Sequence, residues 1–271
     1  MPVFTDQTGK TITIHHPPGK IISLVPSQTE LLYDLGHDKE VVGITKFCVH
    51  PESWFRHKTR IGGTKQINTG LIRECKPDLI LANKEENVKE QVEALAKEFP
   101  VWTSDVRDLP SALDMITQVG LLTGKEPVAS NLVAQISKNF SRLGTPDSEL
   151  PAPISRLRTI YLIWKDPYMT AGGDTFIHAM LEAAGFQNIY AGQTRYPEIT
   201  LDQIKEDRPE LLLLSSEPFP FKQKHIDELQ PDLPGTRILL VDGEMFSWYG
   251  SRLLYAPAYF YELSRQVADT L

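Results

Sequence analysis

The sequence has few cysteines and contains no long apolar or basic run. Only Cys48 and Cys75 occur among 271 residues, which excludes a disulfide-rich scaffold and is typical of a reducing compartment. No apolar stretch approaches the roughly 20 residues that a membrane-spanning helix needs. The net charge is −7 and lysine and arginine are not clustered, so we do not expect nucleic acid as a partner.

The N-terminal residues MPVFTDQTGKTITIHHPPGK lack the features of a secretory signal. They contain no basic segment followed by an apolar segment and a small-residue cleavage site. No cysteine that could accept a lipid lies near the start. We therefore predict a cytoplasmic location, and the alternative is a periplasmic protein from which the signal has been removed.

The common catalytic motifs are also missing. The chain has no phosphate-binding G-x-x-x-x-G-K-[ST], no dinucleotide-binding G-x-G-x-x-G, no H-E-x-x-H and no G-x-S-x-G. No set of nucleophile, base and orienting residue can be assembled from the sequence. We expect a protein that is not an enzyme and that has no cofactor of its own.

What the sequence does contain is a regular alternation of predicted strands and helices. Short apolar runs predict buried strands at 20–25, 41–44, 78–82, 101–103, 159–163, 211–214 and 238–241. Helical periodicity occurs at 87–98, 110–123, 126–143, 175–184 and 252–271, and Ser27 and Glu30 have the spacing of a capping box. This alternation predicts an α/β fold with parallel sheets.

The pattern divides the chain into two halves. Residues 126–144 form a long predicted helix with no strand behind it, and the proline- and serine-rich stretch 144–155 follows. We predict an N-terminal lobe at 1–125, a bridging helix at 126–144 and a C-terminal lobe at 145–271. Each lobe is expected to be Rossmann-like, with a central parallel sheet.

One sequence pattern occurs in both halves. LIRECKPDLILA and QIKEDRPELLLLS each join a polar helix to a buried strand through a proline, and Pro77 and Pro209 lie 132 positions apart. Coincidence between two common joints is the alternative, but the matching places favour a duplicated architecture. A ligand would then bind in the cleft between the lobes, near the carboxyl ends of the strands.

Large side chains in predicted loops indicate what kind of ligand this is. They lie among glycine, proline and charged residues rather than in periodic segments, and they are Trp164, Tyr168, Met169, Tyr196, Phe246, Trp248 and Tyr249. For each of them, packing within a loop is the alternative to ligand contact. As a set they favour a pocket for a flat, amphipathic ligand.

Three stretches of the chain carry a family resemblance. They are FTDQTGKTITIHHPPGKIISLVPSQTELLYDLGHDKEVVGIT, INTGLIRECKPDLILA and DGEMFSWYGSRL. In them the chain resembles the vitamin B12-, haem- and siderophore-binding proteins of ABC importers, which have two α/β lobes bridged by one long helix. The resemblance implies a substrate-binding protein for a cobalt- or iron-containing chelate, working as a monomer with an ABC permease or as a cytosolic relative.

The resemblance also implies which residues contact the ligand. Matching positions are Phe47, Cys48, His50, Trp164, Tyr168, Met169, Tyr196, Glu244, Phe246, Trp248, Tyr249 and Arg252. The chain departs from the vitamin B12-binding members at Thr64 and Asn83, where those proteins have tryptophan. It also has Gly70 and Asp202 where importer-bound members have one docking glutamate on each lobe.

Cys48 and His50 lie in the loop that faces the ligand in these relatives. Through the resemblance, either side chain could occupy an axial position on the metal of the chelate, with His50 as the predicted metal contact. The C-x-H pair alone is a weak metal motif, and a buried cysteine next to a backbone-bonded histidine is the alternative. Arg252 could pair with a carboxylate or phosphate of the ligand, or form a surface salt bridge.

Two other classes of function are compatible with the sequence. One is a chelatase-like enzyme acting on a tetrapyrrole or metal ion, with His50 and Glu244 as metal or acid–base groups. The other is a sensor that binds the same ligand and docks to a soluble partner.

Overall fold

The structure is a computed structural model that describes residues 1–143 and 156–268. Its residues form two compact units. Unit 1 comprises Met1–Val106, Pro110–Gln135 and Tyr249–Arg252, and unit 2 comprises Arg107–Leu109, Ile136–Trp248 and Leu253–Leu271. Within the described residues, no helix is both long enough and apolar enough to cross a membrane.

Unit 1 alternates strands and helices along its first hundred residues. Its elements are β1 (Val3–Thr5), β2 (Thr11–Thr13), β3 (Ile21–Ser23), α1 (Pro26–Asp34), β4 (Val41–Ile44), α2 (Glu52–His57), β5 (Thr59–Arg60), α3 (Thr69–Cys75), β6 (Leu79–Asn83), α4 (Lys89–Ala96) and β7 (Val101–Ser104). β1 and β2 form a separate antiparallel pair, and the main sheet has the order β5-β4-β3-β6-β7 with all neighbours parallel. Every residue of β3 and β6 is buried, as expected for a sheet covered on both faces.

Two helices follow this sheet, α5 (Leu109–Thr123) and α6 (Glu126–Ser141). They approach closely at Gly120, where a Cβ atom would lie 2.3 Å from the Cβ of Ala129, so only glycine fits there. Helix α6 runs from the residues of unit 1 into those of unit 2. The bridging role that the sequence analysis gave to residues 126–144 stays a prediction.

Unit 2 is built around a second, mixed sheet. Its elements are β8 (Arg158–Trp164), β9 (Tyr168–Thr170), α7 (Phe176–Ala183), β10 (Gln187–Asn188), β11 (Glu198–Ile199), α8 (Leu201–Asp207), β12 (Leu211–Ser215), α9 (Gln223–Leu229), β13 (Arg237–Val241), α10 (Glu244–Ser247) and α11 (Ala256–Ala268). The sheet order is β11-β9-β8-β12-β13, and β10 also pairs with β8. The central strands β8, β12 and β13 are parallel, whereas β9 runs antiparallel to β8 and β11. The structure thus confirms the α/β class with parallel central sheets.

The repeated sequence pattern has a structural counterpart in the two units. Helices α3 and α8 have the same length and begin 132 positions apart, as do strands β6 and β12. Each helix has a side-chain N-cap, Asn68 or Thr200, and each ends at a left-handed residue, Lys76 (φ 49°) or Arg208 (φ 46°). The same helix-to-strand joint is therefore built in both units.

Two local predictions need correction. The capping box predicted for Ser27 and Glu30 is wrong, because α1 begins at Pro26 with Val25 as N-cap and without a side-chain cap bond. Proline at the first helical position presets the backbone, which places Ser27 within the first turn. The C-terminal helix begins at Ala256, not at 252, after a 3-10 turn at Ser251–Leu254. The predicted linker at 144–155 and the last residues of that helix lie outside the described residues.

Candidate ligand-binding site

The loop after β4 carries three of the predicted contacts of unit 1. Phe47 is 51% exposed and Val49 is 41% exposed, which is unusual for large apolar side chains within five residues of a buried strand. The backbone of the loop is fixed by a hydrogen bond of 2.8 Å from the Lys46 N–H to the Gly62 carbonyl. The loop therefore presents the Phe47 ring to solvent on a defined backbone.

Cys48 belongs to the same loop, but its side chain is fully buried. The Thr29 hydroxyl donates to its sulfur at 3.0 Å, and the Thr45 hydroxyl lies 3.1 Å from the same atom. Burial raises the pKa of the Cys48 thiol to about 11, so the group is protonated at neutral pH. A buried, protonated thiol holds the loop onto α1 and is poorly suited to bind a metal.

His50 is half-buried at the end of the same loop, directly before Pro51, the N-cap of α2. Within residues 1–143 and 156–268, no three His, Cys, Asp or Glu side chains come together in a way that could hold a metal ion. Metal contact by His50 would therefore involve a metal that the ligand brings, and it stays a prediction.

Tyr249 and Arg252 belong to the short segment that returns to unit 1 near the end of the chain. Tyr249 is buried, and its hydroxyl donates to Glu86 Oε1 at 2.8 Å. Burial, the negative charge of Glu86 and the hydrogen bond to it raise the pKa of Tyr249. The Arg252 guanidinium makes a two-pronged contact with Glu30, at 3.0 Å from Nε and 2.5 Å from Nη2. Both side chains are thus engaged in fixing this segment within unit 1.

In unit 2, Trp164 ends β8 with 40% of its surface exposed. Its ring packs edge-on against Phe219, with centroids 5.8 Å apart, and Phe219 packs against Phe221 at 4.7 Å. His225 lies 5.4 Å from both phenylalanine rings. These four residues form an aromatic cluster at the carboxyl ends of β8 and β12. Phe219, Phe221 and His225 were not predicted from the sequence, although the stretch EPFPFKQKH alternates proline and aromatic residues shortly after a predicted strand.

Tyr168, Met169 and Tyr196 are half-buried around β9. Met169 pairs with Trp164 across the antiparallel β8–β9 ladder, which brings both to the same end of β8. Tyr168 packs against the apolar core of unit 2, and burial raises the pKa of its hydroxyl. The Arg195 guanidinium lies 5.8 Å from the centroid of the Tyr196 ring. Tyr168 and Met169 therefore lie next to the Trp164 cluster.

Phe246 was predicted to contact ligand, but the structure places it in the core. It is fully buried, with its ring centroid 5.1 Å from that of Tyr161 and 4.9 Å from that of Phe260. Glu244 is half-buried at the start of α10, and its N–H donates to Asp242 Oδ1 at 3.0 Å. Full burial makes Phe246 a packing residue rather than a ligand contact.

Trp248 is also buried, and a carboxylate holds its indole ring. The indole N–H donates to Glu217 Oε1 at 2.8 Å, and the Ser247 hydroxyl donates to the same oxygen at 2.6 Å. Burial raises the pKa of Glu217, and the nearby charges of Glu244 and Asp242 raise it further, against the two hydrogen bonds. Glu217, which the sequence analysis did not single out, therefore fixes the orientation of Trp248.

Two surface grooves of unit 2 lie away from these residues. The larger, of about 660 Å³, is lined by residues of β13 and α11 such as Arg237, Leu239 and Tyr259. The smaller, of about 330 Å³, includes Leu157 and Glu210, which precede their strands. None of the residues lining these grooves belongs to the predicted ligand contacts. The exposed aromatic residues, and not these grooves, define the candidate site.

Residues 21–235 match the family model described as "Periplasmic binding protein". The chain belongs to the periplasmic binding protein family. The resemblance inferred from the sequence is confirmed, and this family consists of substrate-binding proteins.

Among curated members of this family, an uncharacterized ABC transporter substrate-binding lipoprotein of Bacillus subtilis is 28% identical over 217 residues, covering 77% of this chain and 67% of the relative. A vitamin B12-binding protein of Vibrio vulnificus is 24% identical over 201 residues, covering 73% and 72%.

Solved structures show the same fold. The periplasmic vitamin B12-binding protein of Vibrio cholerae has a TM-score of 0.78 at 19% identity, covering 94% of this chain and 99% of that one. A periplasmic haem-binding protein in complex with two haems has a TM-score of 0.77 at 20% identity, covering 92% and 98%. These matches confirm the predicted two-lobed α/β fold class.

The predicted cytoplasmic location is wrong. The relatives are periplasmic or lipoprotein substrate-binding proteins, which points to a location outside the cytoplasm. The prediction relied on the first residues of the sequence and on its two cysteines, and neither feature identifies a compartment in a protein of this family.

Proposed function

We propose that this chain is the substrate-binding component of an ABC importer for a metal chelate, namely a corrinoid, a haem or an iron siderophore. The observation that carries the proposal is the family match over residues 21–235, together with relatives named as vitamin B12-binding and haem-binding proteins. The protein binds its ligand reversibly as a monomer, without changing it chemically and without binding nucleic acid.

The exposed aromatic side chains support a flat ligand with apolar surface. Phe47 follows β4 of unit 1, and Trp164 ends β8 of unit 2. Exposed aromatic surface at the carboxyl ends of parallel strands is where α/β proteins bind ligands. Aromatic rings at these positions supply stacking surface for a corrin or porphyrin face.

The handover to a permease is part of the proposal. Asp202 is exposed in the first turn of α8 and supplies an acidic contact for a permease arginine. The equivalent position of α3 is Gly70, also exposed, which has no charge to offer. We expect Asp202→Asn to reduce ligand uptake through the permease while leaving the ligand affinity of the isolated protein unchanged.

Titration of the purified protein with hydroxocobalamin, cobinamide, haemin and a ferric siderophore tests the binding function. Absorbance of the ligand and quenching of tryptophan fluorescence report binding. We expect saturable, stoichiometric binding of at least one class, with the ligand recovered unchanged. Absence of saturable binding by all four contradicts the proposal, and recovery of a chemically altered ligand favours the chelatase-like alternative.

A variant pair tests whether Trp164 contacts the ligand. Trp164→Ala removes an exposed ring and should weaken binding about tenfold or more, since stacked aromatic contacts are among the strongest in binding sites. Tyr33→Ala removes a similarly exposed ring from α1 and should leave the affinity unchanged. Equal affinities of the Trp164→Ala variant and the wild type would remove Trp164 from the site.

A spectroscopic experiment tests the predicted role of His50. An imidazole bound to the metal of the chelate would change the corrin or Soret band, and His50→Ala would reverse that change. Identical spectra of the wild-type and variant complexes would rule out an axial contact.

A further inference from the structure

Lys46 is an exposed cation beside the exposed Phe47 ring at the carboxyl end of β4. Its ammonium lies 5.0 Å from the centroid of that ring. A cation–π contact at an exposed position is weak, and it leaves the three ammonium hydrogens available as donors. Lys46 was not among the residues predicted from the sequence.

The conformation of this pair is fixed by the backbone beneath it. The Lys46 N–H donates to the Gly62 carbonyl at 2.8 Å, which ties the loop to the next one. A Cβ atom on Gly63 would lie 3.1 Å from Phe47 Cε2 and 3.3 Å from Lys46 Cε. The absence of a side chain at Gly63 thus lets both side chains lie over it, and the ammonium and the ring are presented together.

Lys46 also differs in its electrostatic environment from two other lysines that directly follow strands. Lys84 pairs with Asp105 at 2.6 Å, and in unit 2 Lys165, which follows Trp164, pairs with Glu228 at 2.7 Å. No carboxylate among the described residues lies within salt-bridge distance of the Lys46 ammonium. Although the chain has a net charge of −7, the part of it that the structure describes places no neutralising partner beside this cation, which lies next to an exposed ring.

We infer that Lys46 binds an anionic oxygen group, a carboxylate or a phosphate, at the edge of a chelate whose apolar surface packs on Phe47. The inference rests on the proposed function and specifies the class of chelate that the site accepts. An ammonium supplies a point charge with three donors, which suits a carboxylate or phosphate oxygen of variable position. The ligand is then an amphipathic chelate with at least one negative side group.

Matched ligand pairs separate the charge from the rest of the chelate. Cobalamin carries a phosphodiester that cobinamide lacks, and haemin carries propionates that its dimethyl ester masks. A neutral ferric trihydroxamate and an anionic ferric tris-catecholate form a third pair. Affinities are measured for the wild type, Lys46→Gln, Lys46→Arg and the control Lys97→Gln, at low and high salt. Lys97 is the C-cap residue of α4, before β7, and so lies at the amino end of the strands of unit 1.

We expect the wild type to prefer the anionic member of the pair that it binds. Lys46→Gln should weaken binding of that member about tenfold and leave the uncharged member nearly unchanged, whereas Lys46→Arg and Lys97→Gln should retain the preference. The preference should also fall at high salt, because an exposed charge pair is screened.

The possible failures are distinguishable. If the wild type binds a chelate but Lys46→Gln weakens both members of the pair equally, or neither, the inference is overturned and the proposed function stands. If the wild type binds none of the six ligands, the proposed function is overturned, and the inference about Lys46 is overturned with it.

Discussion

The two units share a helix-to-strand joint but differ in the loops that follow it. Strands β6 and β12 are fully buried and end at positions 132 apart, Asn83 and Ser215. In unit 1, the Asn83 side chain donates to Ser104 Oγ at 3.0 Å and accepts from the N–H groups of Glu85 and Glu86. All the polar atoms of that amide are used by neutral partners.

In unit 2 the equivalent strand end lies beside a half-buried acid, Glu217. Ser215 Oγ accepts from the Tyr161 hydroxyl at 3.1 Å and donates to the Glu217 carbonyl. The Glu217 carboxylate then accepts from Ser247 and Trp248. Strands β6 and β12 are therefore equivalent in position and burial, whereas the residues at and just beyond their ends set the local chemistry. The scaffold is thus repeated in the two units, whereas the chemistry just beyond the equivalent strand ends is not.

The largest test of the comparison is a pair of equivalent core truncations. Ile80 in β6 and Leu212 in β12 are both fully buried at equivalent positions. Ile80→Ala and Leu212→Ala should each lower the free energy of unfolding of its own unit by about 3 kcal/mol, from lost burial and the cavity left behind. Hydrogen exchange of the strand amides measures each unit separately. A difference between the two losses of more than about 2 kcal/mol would contradict equivalent cores.

The second test compares ion pairs of different burial. Arg252 and Glu30 in unit 1 have side chains only 14% and 15% exposed, whereas Lys205 and Asp232 in unit 2 are 38% and 44% exposed. Arg252→Gln leaves Glu30 largely buried without its two-pronged partner and should cost about 2 kcal/mol of stability. Lys205→Gln should cost less than about 0.5 kcal/mol.

Thermal unfolding without ligand measures this contrast. A loss for Arg252→Gln no larger than that for Lys205→Gln would show that Arg252 does not fix its segment. The predicted role of Arg252 as a ligand contact would then be the better explanation for its position.

The third test is the pH dependence of unit 2. Burial raises the pKa of Glu217 in the folded protein above its value in the unfolded chain, so the folded state holds this proton more tightly. Stability should therefore fall as pH rises from the ordinary glutamate pKa through the raised value, and the loss should be complete above it. Glu217→Gln keeps an acceptor for Ser247 and Trp248 and removes the titration.

The wild type should thus lose more stability than Glu217→Gln between mildly acidic and neutral pH. Denaturant unfolding at a series of pH values, followed by tryptophan fluorescence, provides the measurement. Parallel pH profiles of the two proteins would mean that Glu217 titrates normally.

Most of the fold could be predicted from the sequence because periodicity and proline placement encode it directly. The strand at Val41–Ile44 and the joints before Pro77 and Pro209 were predicted from these signals alone. The antiparallel strand β9 was not predicted, because Tyr168–Thr170 is three residues long and carries no alternating pattern.

The candidate site was less predictable because loop residues carry no periodicity. Trp164 and Phe47 are exposed, as ligand contacts should be. Phe246 also lies among loop residues that follow a predicted strand, yet it is fully buried. Only packing distinguishes these aromatics. Glu217 and Lys46 could not have been singled out, because their importance depends on which side chains lie next to them in space.

The smallest test concerns the left-handed residues that end α3 and α8. Lys76 and Arg208 have φ angles of 49° and 46°, a conformation that costs a residue with a Cβ about 1 kcal/mol and costs glycine almost nothing. Lys76→Gly and Arg208→Gly should therefore each raise the free energy of unfolding by about 0.5–1 kcal/mol.

Lys97, which ends α4 in the right-handed region at φ −75°, provides the control. Lys97→Gly should lower stability by about 0.5 kcal/mol, because glycine there only adds freedom to the unfolded chain. The sign of the change should thus be set by the backbone conformation of the replaced lysine or arginine, and equal gains at Lys76 and Arg208 would show that the two joints are energetically as well as geometrically equivalent.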